Sequence, residues 1–274
     1  MRYTCFSSAA RHPILFENRM FIIAHTLLFL AFTQGLSTTD ACATRTDGVP
    51  CLHVKRCGLP NPAHFGDFKV SDSPSVVAAA QATNGSLCFD DAGLSISLFA
   101  TDKHIFSPYT ACNAQTWVAS DSVEVFIAPV RAVTDNPMWY FELDMVPSGV
   151  MYGALVNNTR GNATTCIDEN LCKASGPLPC SGAADFPHGM TFHVSNATGA
   201  WLSTLFLPWG VFAPEFRPAA AGAAPWALWR LNFYRYSYPN PPSPAFDNFE
   251  LNAWSPTHNP TFHIPARFGV AILQ

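Results

Sequence analysis

The segment WYFELDM, which runs from Trp139 to Met145, indicates the fold class. Its apolar side chains occupy every second position and so lie on one side of an extended chain: Trp139, Phe141, Leu143 and Met145. The positions between them carry polar groups: Tyr140, Glu142 and Asp144. A period of two with one apolar face is typical of a β-strand that covers a core on one side. We therefore predict a strand here with its apolar side buried, Trp139 included.

Similar short apolar runs, bounded by turn residues, lie on both sides of this strand. SLCFD and LSISLFA flank the turn Asp91–Gly93, which predicts a β-hairpin. Further strand-like runs are DSVEVFIAP, GVMYGALV, MTFHVS, WLSTLFLPW, WALWRLNFYRY and FGVAIL. No segment has the pattern of a long amphipathic helix. Many strands without helices indicate an all-β fold, and we predict an antiparallel β-sandwich of jelly-roll or immunoglobulin-like type.

The composition limits the class of protein. The 274 residues fit one large domain or two small ones, and only 12% are charged, about half the typical ~25%. The formal net charge of −4 argues against an electrostatic nucleic-acid partner, so none is expected.

The N-terminus resembles a secretory signal. The apolar run from Met20 to Ser37 follows three basic residues, Arg2, Arg11 and Arg19, and ends in small residues. The basic lead is long, so translation could begin at Met1 or at Met20. A membrane anchor is the alternative, but the run is short for a span of ~20 residues. We expect residues 1–37 to be a signal peptide, and the mature protein to be secreted without stable membrane insertion.

Sequons and cysteines agree with secretion. Four N-x-[ST] sequons predict glycosylation at Asn84, Asn157, Asn162 and Asn196. Eight cysteines would remain after signal removal and predict four disulfides of unspecified pairing: Cys42, Cys51, Cys57, Cys88, Cys112, Cys166, Cys172 and Cys180. We divide the remaining chain into a disulfide-tethered N-terminal extension, residues 38–66, and a β-sandwich module, residues 67–274. Residues 157–189 predict a long surface loop.

Familiar catalytic motifs are absent from the sequence, but two carboxylates remain as candidates. Glu124 and Glu142 lie on neighbouring predicted strands and could face one side of a sheet. Paired carboxylates serve glycoside hydrolysis, and they also accept hydrogen bonds from sugar hydroxyls. On a solvated sheet face they would do neither.

Two aromatic residues lie in predicted loops. Trp117 precedes a strand within NAQTWVASD, and Phe262 lies within the proline-rich stretch from Ala253 to Gly269. Exposed loop aromatics on a β-scaffold stack on the apolar faces of sugars, although they can instead fold back into the core. Prolines would stiffen the terminal loop, so less conformational entropy is lost on binding. Trp254 in the same stretch is expected to anchor the loop in the core.

Four segments together resemble family 9 carbohydrate-binding modules. They are Trp117–Pro129, Trp201–Phe212, Trp229–Tyr236 and Ala253–Leu273, in the order found in that family. The resemblance covers roughly residues 67 to 274. It implies a β-sandwich that holds a sugar between two aromatic rings.

The resemblance implies specific site residues. Trp117 and Phe262 match the two rings, and Glu124, Asn259 and Tyr234 match positions that bond hydroxyl groups. A basic residue of some members falls at Glu142, which reverses the charge and puts the ligand specificity of those members in doubt here. Some relatives bind calcium, but their ligands do not map onto this chain, so no cofactor or metal site is assigned and a structural calcium ion stays an open alternative.

These observations predict a secreted, non-catalytic module that binds xylan-, cellulose- or glucan-type saccharides in support of carbohydrate catabolism. A separate glycoside hydrolase is an expected partner. The alternatives are a glycoside hydrolase that uses Glu124 and Glu142, a haem or redox β-sandwich, and a structural surface protein without ligand.

Overall fold

Two β-sheets pack face to face in the computed structural model of the chain. The structure describes residues 42, 47–158, 165–168, 189–212, 227–238 and 249–274. Within these ranges there are fourteen strands and a few short 3₁₀ turns. This arrangement confirms the predicted all-β sandwich.

The larger sheet has nine strands. Seven form a continuous order: β1 (Cys51–Val54), β14 (Gly269–Leu273), β12 (Leu228–Ser237), β6 (Ser122–Pro129), β7 (Trp139–Met145), β8 (Met151–Asn157) and β9 (Thr165–Asp168). Two more extend it beside β12: β13 (Glu250–Ala253) and β3 (Lys69–Val70). Among the described strands of this sheet, β1 and β14 pair in parallel and the other neighbours are antiparallel.

The smaller sheet has five antiparallel strands. Their order is β10 (Thr191–Ala197), β11 (Ala200–Pro208), β5 (Gly93–Thr101), β4 (Thr83–Phe89) and β2 (Ala63–Phe65). β4 and β5 form the hairpin that the turn at residues 91–93 predicted. Asp90 stabilises this turn, because its side chain accepts hydrogen bonds from the backbone of Ala92 and Gly93.

The core lies between the sheets and consists of alternate residues of each strand. The larger sheet contributes, among others, Val123, Val125, Leu143 and Phe233, and the smaller sheet contributes Ile96, Leu98 and Trp201. Phe65 and Phe233 stack across the interface with ring centroids 3.8 Å apart. Trp254 contacts both rings, which confirms its predicted role as an anchor of the terminal loop in the core.

A buried ion pair also joins the two sheets. Arg235 of β12 donates to Asp102 at 2.9 Å, and both side chains are fully buried. The same guanidinium donates to the hydroxyl of Thr83 and to backbone carbonyls of Ala82 and Thr101. Burial lowers the pKa of Arg235, whereas the Asp102 carboxylate and the other acceptors stabilise its positive charge.

Strand β7 departs from the prediction at two points. Trp139 is 46% exposed, so its predicted burial is wrong. It is the first residue of β7 and pairs with Asn157 at the last residue of β8, so it lies at the end of the strand pair. The polar side of the same strand is buried: Tyr140, Glu142 and Asp144 all have little exposure.

The predicted N-terminal extension forms part of the sandwich. β1 joins the larger sheet and β2 joins the smaller one, and Val54, Ala63 and Phe65 lie in the core. Disulfides join Cys42 to Cys51 and Cys57 to Cys88, and the second of them ties the N-terminal segment to β4. Cys112 is disulfide-bonded as well.

Several sequence-based expectations fall outside the described residues. They include the signal peptide, the sequon at Asn162 and, apart from β9 and its two ends, the predicted loop at 157–189. The side chains of Cys166, Cys172 and Cys180 also lie outside. No helix in the described ranges is both long and apolar enough to span a bilayer.

Candidate functional site

The larger sheet has a second buried face, on the side of its strands that points away from the smaller sheet. Because side chains alternate along a strand, the residues between the core positions all point there. A cluster of mostly aromatic residues covers this face and includes Phe126, Tyr140, Tyr152, Tyr234, Phe262 and Phe268. We refer to it as the outer face. It is the place where buried polar groups and aromatic rings meet.

Two carboxylates lie side by side in the middle of the outer face. Glu124 of β6 pairs with Asp144 of β7, so their side chains are direct cross-strand neighbours. On one side Glu124 also pairs with Tyr234 of β12, and on the other Asp144 pairs with Tyr152 of β8. The four residues Tyr234, Glu124, Asp144 and Tyr152 therefore form one line across four strands, which we call the acidic row. Its ends are three strand spacings apart, roughly 14 Å.

Each end of the acidic row is covered by a further aromatic ring from a loop. Phe262 stacks on Tyr234 with ring centroids 4.0 Å apart and an interplanar angle of 12°. The hydroxyl of Tyr234 donates to the carbonyl of Phe262 at 2.9 Å, which fixes the loop to the strand. At the other end Trp117 packs edge-on against Tyr152 at 4.7 Å. Two carboxylates thus lie between two aromatic pairs.

The carboxylates of the row are withdrawn from water. Glu124 is 2% exposed and Asp144 is 0% exposed. Burial, reinforced by the charge of Glu142, raises the pKa of Glu124 well above its usual value. Burial, followed by the charges of Glu124 and Glu142, does the same to the pKa of Asp144.

Few donors reach these carboxylates. The hydroxyl of Ser122 donates to Glu124 at 3.1 Å, and the hydroxyl of Thr116 reaches one oxygen of Asp144 at 3.5 Å. The other oxygen, Oδ1 of Asp144, is buried and has no hydrogen-bond partner among the described residues. Within those residues no arginine or lysine forms an ion pair with Glu124 or Asp144.

Glu142 lies on the same face, two residues before Asp144 in β7. Its Oε2 is 3.9 Å from Nε2 of His263. Burial lowers the pKa of His263 to about 4, so the imidazole is neutral at neutral pH and the contact is not an ion pair there. Nδ1 of His263 lies 2.7 Å from the hydroxyl of Tyr140, which orients the ring.

The structure brings most of the predicted site residues together. Trp117, Glu124, Glu142, Tyr234 and Phe262 all belong to the outer face or pack on it. Trp117 is half-buried, whereas Phe262 is only 5% exposed because it lies flat on Tyr234. The two rings that the resemblance paired are thus found at opposite ends of the acidic row.

Asn259 lies apart from these residues, at the exposed part of the terminal loop. Its side-chain oxygen accepts from the backbone of Thr261, and its carbonyl accepts from the hydroxyl of Thr257. The preceding residue, His258, has a φ of 54°, in the left-handed region. Asn259 therefore stabilises a tight turn that leads to Phe262.

Sequence reasoning did not select three residues of this face: Asp144, Tyr152 and Tyr236. Tyr236 packs edge-on against Phe262 at 5.3 Å, and burial raises its pKa well above the usual value. Asp144 lies two residues after Glu142, so the alternation of WYFELDM already indicates that both side chains point to the same face of the strand. The pairing of β7 with β6 and β8 was needed to show its neighbours.

The remaining predicted positions are surface features. Asn84 on β4 and Asn196 on β10 are exposed, and Nδ2 of Asn196 donates to the carbonyl of Pro147 at 2.9 Å. Asn157, at the end of β8, is half-buried. Glycosylation of these asparagines stays a prediction. In the described part of the chain, no group of three or more His, Cys, Asp or Glu side chains is placed to hold a metal ion.

No protein-family model matches the sequence, and no curated protein matches it significantly. Among solved structures, a candidate carbohydrate-binding protein from Bacteroides uniformis aligns with 82% of this chain and 100% of its own, at 13% identity and a TM-score of 0.54. This likeness shows a shared fold and, at that level, confirms the predicted resemblance.

Two further solved structures align less closely. Both are family 9 carbohydrate-binding modules from Caldicellulosiruptor kristjanssonii. The one in complex with glucose has 10% identity, a TM-score of 0.47 and coverage of 82% of this chain and 95% of its own. The one in complex with cellotriose has 12% identity, a TM-score of 0.46 and coverage of 82% and 93%.

Proposed function

We propose that the protein binds carbohydrate at the outer face, along the acidic row, and does not cleave it. The observation that supports this proposal is the order of groups in the row: an aromatic pair, two carboxyl groups, and a second aromatic pair. Saccharides present apolar ring faces and hydroxyl edges, and this row offers partners for both.

The aromatic ends suit the faces of a sugar. Trp117 and Tyr152 form one end and Phe262 and Tyr234 form the other. The strands that carry the two ends are roughly 14 Å apart. Rigid aromatic walls also lose little conformational entropy on binding.

The carboxyl groups between the walls suit the hydroxyls of a sugar. Oδ1 of Asp144 lacks a donor among the described residues, and Glu124 accepts a single side-chain hydrogen bond there. A buried acceptor without a donor is unfavourable, so a ligand hydroxyl that donates to it removes a penalty as well as adding a contact.

The edge of the site nearest to solvent is the loop around Trp117. Trp117 is half-buried and the next residue, Val118, is exposed. A ligand that approaches over this loop would meet Trp117 first, and Tyr152 packs directly against that ring. This direction of entry makes Trp117 the best residue with which to test the site.

The wider role that we propose is that of a secreted binding module for xylan-, cellulose- or glucan-type polysaccharide, acting beside a separate glycoside hydrolase. The few charged residues, the signal-like N-terminus and the sequons support secretion. The fold supports a binding role, because the Bacteroides uniformis protein that shares it is described as a candidate carbohydrate-binding protein.

The test is a glycan array together with a pull-down on insoluble polysaccharides. Trp117→Ala removes the aromatic ring at the Tyr152 end of the row. Trp139→Ala is the matched control, because it removes an exposed tryptophan at the other end of β7. We expect the wild type and Trp139→Ala to bind the same glycan and Trp117→Ala to lose it. Equal binding by all three proteins would place the site elsewhere, and binding by none of them would refute a carbohydrate function.

A glycoside hydrolase is the second candidate, and the environment of Glu124 favours it. A carboxyl group with a raised pKa beside other carboxylates is the arrangement of a general acid. Release of reducing sugar from the bound glycan, lost in Glu124→Gln, would establish this activity. Binding without any release, measured over long incubation at several pH values, would leave the binding role alone.

A further inference from the structure

We propose that the acidic row selects a positively charged sugar, and specifically β-1,4-linked glucosamine units whose 2-amino groups are protonated. This inference rests on the proposed carbohydrate function and deepens it by naming the substrate class. The ligand amine would lie between Glu124 and Asp144, and its ring would contact the aromatic ends of the row.

The first argument is the contrast between two sets of buried acids in the same protein. Asp102 is fully buried, and Arg235 neutralises it through a hydrogen-bonded ion pair at 2.9 Å. Glu124 and Asp144 are equally withdrawn from water and lie opposite each other, yet the described residues supply no arginine or lysine to either. An uncompensated buried pair of this kind resists ionisation, and a bound cation would stabilise its charged form.

The second argument is the free oxygen of Asp144. Oδ1 of this residue is buried and accepts no hydrogen bond among the described residues. Buried polar atoms in folded proteins are almost always bonded, so an unbonded one points to a missing donor. An ammonium group carries three donors and a positive charge, and it can bond Asp144 and Glu124 at once.

The third argument comes from the aromatic rings. Tyr234 and Tyr152 flank the carboxylates in the same row, and Trp117 packs on Tyr152. Aromatic faces attract cations, and tryptophan and tyrosine do so most strongly. Trp117, the half-buried ring at the Tyr152 end, would also stack on the apolar face of the sugar.

A divalent metal ion fits the row less well than an amine. Among the described residues no three acidic, histidine or cysteine side chains are placed around one point. Calcium takes six to eight oxygen ligands, and magnesium requires an octahedral set. The aromatic neighbours Tyr152 and Trp117 would leave most of those positions unfilled.

The test compares three hexasaccharides by isothermal titration calorimetry at low salt: the glucosamine hexamer, its N-acetylated form and cellohexaose. All three share the β-1,4 linkage, and under mildly acidic conditions only the first carries charge. We expect the glucosamine hexamer to bind at least about tenfold more tightly than the other two, which is the effect of one modest ionic contact. High salt should reduce this preference.

Two isosteric variants locate the preference. Asp144→Asn and Glu124→Gln keep the shape of the row and remove one carboxylate each, so either should reduce binding of the glucosamine hexamer to the level of cellohexaose measured with the same variant. Asp91→Asn is the matched control, because Asp91 is an exposed acid in the β4–β5 turn of the smaller sheet. It lowers the net negative charge equally and should preserve the preference. Circular dichroism confirms that each variant is folded.

The outcomes separate this inference from the proposed function. Cellohexaose binding as tight as that of the glucosamine hexamer would overturn the charge selectivity and leave carbohydrate binding intact. No binding of any hexamer would overturn both. A preference that survives in Asp144→Asn and Glu124→Gln would show non-specific attraction to an acidic protein. Displacement of the hexamer by calcium would show a metal site. A surviving preference and displacement by calcium would each overturn the inference.

Discussion

Glu124 and Asp144 lie directly opposite each other on neighbouring strands, both buried, with no arginine or lysine paired to either among the described residues. The side chains that face them from the adjoining elements are Tyr234 and Tyr236 of β12, Glu142 of β7, Tyr152 of β8 and His263 of the terminal loop. Without a ligand, this pair must share protons or repel. The protein therefore carries a free-energy cost at this face, which the proposed ligand would remove.

The first prediction concerns stability and pH. The folded state raises the pKa of Asp144, so its ionisation opposes folding. The penalty is absent below the unfolded pKa of about 3.9 and grows as pH rises from there towards the folded pKa. Asp144→Asn should therefore stabilise the unliganded protein at pH 7.

Urea unfolding of wild type and Asp144→Asn at several pH values checks this sign. The difference in the free energy of unfolding should be largest near pH 7 and should shrink as pH falls towards 4. His263 works in the opposite direction, because its lowered pKa costs stability as pH falls from about 6.5 to about 4. It is common to both proteins and should largely cancel in the difference. A variant less stable than the wild type at pH 7 would contradict this account of the row.

The second prediction concerns the ion pair between the sheets. Asp102→Asn removes the carboxylate that neutralises Arg235 and leaves a buried guanidinium. Loss of one partner of a buried pair costs roughly 3–5 kcal/mol, because the remaining charge is uncompensated. Asp91→Asn breaks the exposed ion pair with Arg56 and should change the urea midpoint very little. Similar midpoints for the two variants would show that the buried pair contributes little.

The third prediction concerns the anchor of the terminal loop. A methyl group at Gly269 would come within 2.2 Å of the Trp254 ring and within 3.0 Å of the carbonyl of Pro50. Gly269→Ala should therefore lower stability by roughly 1–3 kcal/mol, since the ring has to move in a packed core. Gly66→Ala is the control, because its nearest neighbour would be Cβ of Asn84 at 3.3 Å. Thermal unfolding followed by tryptophan fluorescence compares the two.

The fourth prediction concerns the link between strand and loop at the Phe262 end of the row. Tyr234→Phe keeps the stacked ring but removes the hydroxyl that donates to the carbonyl of Phe262. We expect a loss of about 1 kcal/mol in stability. Hydrogen exchange should increase in the terminal loop and stay unchanged in β5 of the smaller sheet. An equal change in hydrogen exchange in the terminal loop and in β5 would mean that this hydrogen bond does not hold the loop.

Period-two alternation was sufficient to predict most of the architecture. It located β4 to β8, β10 to β12 and β14, and the turn residues located the β4–β5 hairpin. It did not locate β9, which lies within the predicted loop at 157–189, or the short β13. It was not sufficient for the residues before 67, because β1 and β2 are short and find their partners far along the chain. Local pattern contains no information about such pairings.

Several of the selected candidate residues lie on one face, but the sequence did not predict how they are arranged there. Glu124, Glu142, Tyr234, Trp117 and Phe262 were selected from residue type and resemblance, and they meet on one face. The position of Asp144 opposite Glu124 depends on the register between β6 and β7, which no single segment specifies. Burial of the polar side of β7 was also missed, because polar residues on a strand usually indicate solvent.

The parallel pairing of β1 with β14 has a mechanical consequence. Cys51 lies beside Val270 and Val54 beside Leu273, so the chain enters β1 at one end of the pair and leaves β14 at the other. A pull on the two flanking segments would slide the strands past each other and would load their hydrogen bonds together rather than one at a time. Shear of this kind resists force better than peeling does.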